Sequence, residues 1–220
     1  ITGENIIYQQ LAYLMRSGSP DSLVDWDSLG RQGKRFVSTG ATVEELDEAN
    51  GGGALEPIRV YASINSAEDL EARAQLVLDE LVRTDAFDRK VLVVATTTGT
   101  GFLEPNALNS LEYLHNGDTA VVGVQYSYLP SWISLLADQE VTRETSRVVF
   151  DTIHTYWSTL PEDSRPDLYL FGLSLGRRLA ALGRAEAADR AGAGLLRRPG
   201  ADGPRRAELE PRRRGRRGAD

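Results

Sequence analysis

The chain has 220 residues, 41% of them hydrophobic and 26% charged, with a formal net charge of −7, which gives room for one ordinary domain with a sizeable core. It holds no Cys and two His, His115 and His154, which excludes disulfides, a thiolate metal site, a cysteine nucleophile and a histidine-rich metal centre. Apolar runs such as 91–95 are far too short to span a bilayer, and residues 1–10 lack the basic start and apolar stretch of a signal peptide.

Residues 1–57 read as an irregular N-terminal segment. Apolar residues recur at helical spacing over 9–16, and 17–20 breaks that spacing. Arg31-Gln32-Gly33-Lys34-Arg35-Phe36-Val37 reads as a surface loop entering a short strand. Residues 42–50 form an acidic stretch with the pattern of a short helix. Thr42 followed by Glu45 fits a capping box, and Asn50-Gly51-Gly52-Gly53 ends it.

From Pro57 the pattern becomes regular. Residues 58–64 alternate as a strand. Asn65 or Ser66 caps a helix through about Thr84, with Leu70, Ala74, Val77, Leu78 and Leu81 on one face. The unbroken run 91–96 is a central buried strand. A Thr/Gly loop, 97–102, comes next. Pro105 opens a helix that continues through 106–115, and Asn116-Gly117-Asp118 turns into a third buried strand, 119–125. An aromatic loop, 126–136, leads to a long helix over 140–158. After a Pro-containing loop, 160–167, comes a fourth apolar run, 168–171, with the pattern of a buried parallel strand. Strands alternating with helices in this order predict an α/β fold, a parallel sheet with helices on both faces. In such sheets ligands sit at the carboxyl ends of the strands. The 97–102 loop and the residues just after 171 therefore meet across one crevice.

Immediately after residue 171 stands Gly172-Leu173-Ser174-Leu175-Gly176. A G-x-S-x-G directly after a buried strand is the nucleophile-elbow pattern. The chain turns sharply from strand to helix there, and small residues on either side let the neighbouring backbone pass. Ser174 is thus the candidate nucleophile for acyl transfer. Oxyanion stabilisation needs the amide of the next residue, Leu175, and a second amide from a loop after an earlier strand. The 97–102 loop supplies the candidates Gly99, Thr100 and Gly101. Tyr126, Tyr128 and Trp132 are candidates for lining an apolar acyl site, with packing as the alternative. Gly99-Thr100-Gly101 matches neither phosphate-loop pattern, because a third glycine and a Gly-Lys-Ser/Thr are both missing. No cofactor or metal is expected.

The triad order in this kind of site is Ser, then acid, then His. No histidine follows Ser174, and His115 and His154 read as surface or packing residues on helices. The composition also changes at this point. Residues 1–176 carry 12 Lys and Arg against 26 Asp and Glu, whereas 177–220 carry 13 Arg against 6 acids, with no aromatic, Val, Ile, Ser, Thr or Lys. Such a segment cannot build a core. Residues 177–220 read as an out-of-frame translation of GC-rich DNA, the alternative being a genuine basic, disordered tail. Any contact of that tail with nucleic acid is limited to phosphates, so no specific nucleic-acid partner is expected.

Several strings together resemble one family: 91–101, Glu112-Tyr113-Leu114, Gly117-Asp118, Gln125-Tyr126-Ser127-Tyr128-Leu129-Pro130-Ser131-Trp132, Leu160-Pro161, Arg165-Pro166 and 171–176, with 33–40 and 58–61 also similar. They resemble the actinobacterial α/β-hydrolase-family catalytic domain over roughly residues 30–176. That family more often has Glu at the position of Leu173. The resemblance implies a serine hydrolase acting on a small ester-like substrate, with Ser174 as the elbow serine. It also implies a cell-membrane location through an upstream membrane domain, the segment itself being soluble. On this basis the chain divides into 1–57, a partial hydrolase core at 58–176, incomplete after the elbow, and the tail 177–220. A chain without the later acid and histidine is expected to be inactive or nearly so, and a non-catalytic binding module of the same fold is the alternative. A sheet missing its later strands is expected to be poorly soluble.

Overall fold

The computed structural model describes residues 14–128 and 139–172, all within the unit Ile1–Ala185. Four strands, β1 (Ile58–Ala62), β2 (Val91–Thr96), β3 (Thr119–Val124) and β4 (Asp167–Gly172), form one parallel sheet in the order β1-β3-β2-β4. Each connection carries a helix: α3 (Leu70–Arg83) between β1 and β2, α4 (Pro105–Leu114) between β2 and β3, and α5 (Gln139–Thr159) between β3 and β4. Two further helices, α1 (Gly30–Ser38) and α2 (Val43–Asn50), precede the sheet. This is the predicted α/β architecture, a parallel sheet with helices packed around it.

The pleat divides the strands between two faces. Tyr61, Val91, Val93, Ala95 and Val121 meet Phe36 and Val37 of α1 and Leu108 of α4 in one buried cluster. The alternate residues, among them Val60, Leu92, Ala120 and Val122, are buried on the other face, where α3 packs on β1, β3 and α5. A strand covered on both faces reads as a continuous apolar run rather than an alternation. That is why 91–96 is legible as central, and β2 does lie between β3 and β4. β4 is parallel as expected but less buried. Among the described residues it is the outermost strand on its side, and Tyr169 is 51% exposed.

Several helix ends follow the local chemistry. Thr42 and Glu45 form the reciprocal capping box at α2, which ends on Gly51 in the left-handed region (φ 86°). Pro105 stands in the first turn of α4, with the Glu104 side chain accepting from the Ala107 amide. Helix α3 begins later than the spacing indicated. Asp69 caps it by accepting from the Ala72 amide, while Asn65 and Ser66 belong to a short 3-10 turn, Ile64–Ser66, held by Ser63.

The N-terminal segment departs from the sequence reading. Residues 31–37 are not a loop entering a strand but most of α1, which buries Gly33, Phe36 and Val37. Gly33 has low helix propensity. Its backbone lies so close to Tyr61 that an added Cβ would sit 2.5 Å from the ring, so a tertiary contact decides the local conformation. Residues before the helix cover the outer edge of β1. Arg16 bridges to Arg59 in parallel, the Ser17 amide donates to the Arg59 carbonyl at 3.0 Å, and the Tyr61 amide donates to Ser17 Oγ at 3.0 Å. An edge that would template foreign strands is thereby occupied. Of the predicted 9–16 helix, residues 9–13 lie outside the described residues, and Arg16 is in this bridge.

Two buried carboxylates tie this segment down. Glu112, fully buried, accepts from Arg59 Nε at 2.7 Å, Arg59 Nη2 at 2.9 Å and the Ala41 amide at 3.0 Å. Arg59 also donates to Phe36 O and Asn109 Oδ1, and Arg16 donates to Val37 O and Ala41 O. Glu80, also fully buried, accepts from Ser22 Oγ at 2.6 Å, the Leu23 amide at 3.0 Å and Arg83.

Candidate functional site

The register fixes which loops meet. β2 and β4 pair directly, with Thr96 opposite Gly172. Gly172 is the first residue of the G-x-S-x-G string and the last of β4. The 97–102 loop and the elbow string therefore leave the same end of adjacent strands, about 4.8 Å apart. This is the carboxyl end of a parallel sheet, where ligands bind. Ser174 and Leu175 lie outside the described residues, as do Trp132 and the tail 177–220.

Gly99, Thr100 and Gly101 are described, and they form a tight turn. The Gly101 amide donates to Thr98 O at 2.8 Å, and the Thr98 amide donates to Phe102 O at 3.0 Å. Thr98 Oγ1 accepts from the Phe102 amide at 3.2 Å. Gly101 takes φ 90°, a conformation that L side chains rarely adopt. The turn consumes the Gly101 amide. Among the described residues the amides of Gly99 and Thr100 have no acceptor. The Thr98–Gly99 peptide is trans, as are all others described. Its carbonyl points into the turn toward Gly101, so the Gly99 N–H points out of it. Gly99 is buried and Thr100 half-buried.

The turn is held from outside by two side chains. Tyr61, 0% exposed, donates its hydroxyl to Gly101 O at 2.9 Å. Burial pushes its phenol above the ordinary tyrosine value, so it remains a donor. Gln125, just past β3, donates Nε2 to Thr100 O at 3.3 Å and to Ser127 O at 2.9 Å. Thr97 Oγ1 donates to Val124 O at 3.0 Å and fastens the start of the loop to β3. Nothing in the strand pattern of 58–62 or 119–124 announces that Tyr61 and Gln125 converge on this loop. The only sequence signal is a polar atom on a residue whose strand is buried on both faces, where it must find a partner.

The aromatic candidates separate. Tyr126 is buried at 7% exposure, whereas Tyr128 is 62% exposed and donates its hydroxyl to Asn65 Oδ1 at 2.7 Å. Both histidines stand at the opposite end of the sheet. His115 closes α4 just before the turn into β3, and His154 is near the end of α5, before the loop into β4. His154 packs between Phe150 and Trp157, its ring tilted to both, with centroids 5.2 and 5.5 Å away. Desolvation lowers its pKa from the ordinary value. His154 thus packs within the face of α5. Among the described residues no cluster of His, Cys, Asp or Glu could hold a metal ion, and no helix is long and apolar enough to cross a membrane.

Residues 58–214 match the alpha/beta-hydrolase family, and residues 9–41 match that family's N-terminus. The larger match runs past Gly176, where the sequence resemblance stops. No curated protein and no solved structure matches the chain. A match covering most of the chain, on a parallel sheet whose fourth strand ends on the first residue of the elbow string, settles the relationship: this protein belongs to the alpha/beta-hydrolase family.

Proposed function

We propose that the protein is a serine hydrolase of the esterase type, with Ser174 as nucleophile. The observation that carries this reading is the direct pairing of Thr96 with Gly172, which sets the 97–102 turn, with two amides that have no acceptor among the described residues, beside the strand that feeds G-x-S-x-G. In the reaction a base takes the Ser174 hydroxyl proton while Oγ attacks the ester carbonyl carbon. The carbonyl oxygen becomes an oxyanion, accepting from the Leu175 amide and from Gly99 or Thr100. The alcohol leaves with a proton, and water later frees the acid from Ser174. Tyr128 and Trp132 are the proposed apolar lining; Tyr126 shares their string. No cofactor enters this scheme, and the proposed partner is a small ester-like substrate, with membrane attachment through a domain upstream of the chain.

The base is the part left unassigned, since no histidine follows Ser174. His115 and His154 both precede Ser174 and stand at the amino ends of the strands, so neither is proposed as its base. The 220-residue chain alone is therefore expected to be nearly inactive. This absence favours the second reading, a binding module that keeps the fold and the serine. Two observations bear on the tail in opposite directions. Its 13 Arg among 44 residues and the lack of any aromatic suggest a shifted frame, whereas the family match extending to residue 214 favours a tail in frame. Sequencing the coding DNA decides it: an apolar, histidine-containing continuation in another frame after Arg177 supports the shift.

The function is tested by labelling with a fluorophosphonate probe, with and without added imidazole as an external base, beside Ser174→Ala. Imidazole-dependent labelling that disappears in the variant is the expected result. A folded protein left unlabelled in both conditions would refute the hydrolase reading in favour of the binding module.

A further inference from the structure

We propose that Tyr61 is a positioning residue for the oxyanion turn, and that the N-terminal segment acts on the site through it; this rests on the serine-hydrolase reading above. Tyr61 lies on β1, two strands away from β2 in the sheet order, yet its hydroxyl reaches Gly101 O at 2.9 Å. The fit is close: a Cβ on Gly101 would sit 2.1 Å from the Tyr61 hydroxyl. Gly101 therefore serves two needs at once, its φ of 90° and room for the phenol.

The hydroxyl acts on peptide planes. With Gly101 O held by Tyr61 and Thr100 O by Gln125, the two planes flanking Gly101 are fixed. The Gly101 amide is then aimed at Thr98 O, and that bond fixes the Thr98–Gly99 plane. The chain of constraints ends on the Gly99 N–H, directed out of the turn. An oxyanion donor is effective only when its direction is set before the reaction. Tyr61 touches no reacting atom in this scheme; it orients the peptide that does.

The ring of Tyr61 is in turn located by the N-terminal segment. Gly33 lies against its ring, Phe36 is 6.0 Å from it between centroids, and Ser17 Oγ accepts from its amide at 3.0 Å. All three belong to the stretch 9–41 that matches the family N-terminus. That stretch is thus part of the support of the turn.

The test uses the whole chain with imidazole present and compares wild type, Tyr61→Phe and, as a control on the outer face of α4, Tyr113→Phe. Phosphonylation of Ser174 by the fluorophosphonate probe is resolved into its maximal rate and half-saturating concentration, and amide exchange is followed over 96–103. Tyr61→Phe is expected to lower the maximal rate tenfold or more, with little change in half-saturation. Exchange over 96–103 is expected to rise and the melting temperature to fall by a few degrees, because the buried Gly101 carbonyl loses its donor, while Tyr113→Phe changes none of these. A purely structural role would lower stability and leave the maximal rate alone. Wild-type rate and exchange in Tyr61→Phe overturn the Tyr61 assignment while leaving the hydrolase reading in place. An unlabelled wild type overturns the hydrolase reading and, with it, the assignment.

Discussion

At the residue scale, a fully buried ion pair stands where the hydrophobic pattern of β1 is interrupted. Arg59 stands in the middle of β1 with its side chain 0% exposed, and Glu112 meets it from α4, equally buried. Taking two charges out of water is expensive, and the pair holds because nearly every donor and acceptor is used. The guanidinium has four acceptors, Glu112 Oε1 and Oε2, Phe36 O and Asn109 Oδ1. Gly40 leaves space for it: a Cβ there would lie 2.6 Å from Arg59 Nε. Removing one partner leaves an uncompensated buried charge. Glu112→Ala is therefore expected to cost about 3–5 kcal/mol in urea unfolding. The loss should change little between low and high salt, since buried pairs are weakly screened. A loss below about 1 kcal/mol would show that water reaches the pair.

At the element scale, α5 joins the two ends of the sheet and places its histidine at the end opposite the 97–102 turn. His154 packs between Phe150 and Trp157, and Arg165 lies 3.8 Å over the Trp157 ring. Burial lowers the His154 pKa below its ordinary 6.5; Asp151 acts against this and Arg165 with it. The folded chain thus binds a proton less readily than the unfolded chain. Stability from this group is present above pH 6.5 and is lost as pH falls from 6.5 through the lowered folded value. Melting temperature followed across pH 5–8 should fall more steeply toward acid in wild type than in His154→Gln. Parallel curves would mean that the ring is solvated in solution.

At the scale of the whole molecule, the N-terminal segment and the α/β sheet form one folded unit. Residues 14–41 cover the outer edge of β1, supply Leu29, Phe36 and Val37 to the buried cluster, and are tied to the buried carboxylates of Glu112 and Glu80. Deleting residues 1–41 exposes a strand edge and an apolar face together, and leaves Arg59 and Glu112 open to water. Loss of the cooperative thermal transition by circular dichroism is the expected result. A truncated chain that melts cooperatively near the wild-type temperature would make the segment an appendage, and would weaken the case for its action through Tyr61.

How much of this the chain declares for itself depends on the range of the interactions. Periodicity, capping and turn chemistry are local, so β2, β3, α2, α4 and the strand–helix alternation are readable from neighbouring residues, as is the elbow string after β4. Thr42 with Glu45 and Pro105 act within one helical turn of themselves. Strand order is different. That β2 and β4 are neighbours, and that Thr96 therefore faces Gly172, is set by packing across the whole sheet. Helix α1 hides behind two glycines and three basic residues because its conformation is chosen by the ring of Tyr61, which is distant in sequence. Sequence alone determined the class of fold and named the candidates for acyl transfer. Only the tertiary structure decided that the Gly101 amide is consumed, that those of Gly99 and Thr100 have no acceptor among the described residues, and that Tyr61 and Gln125 hold the turn, because those facts depend on hydrogen bonds between strands brought together only by folding.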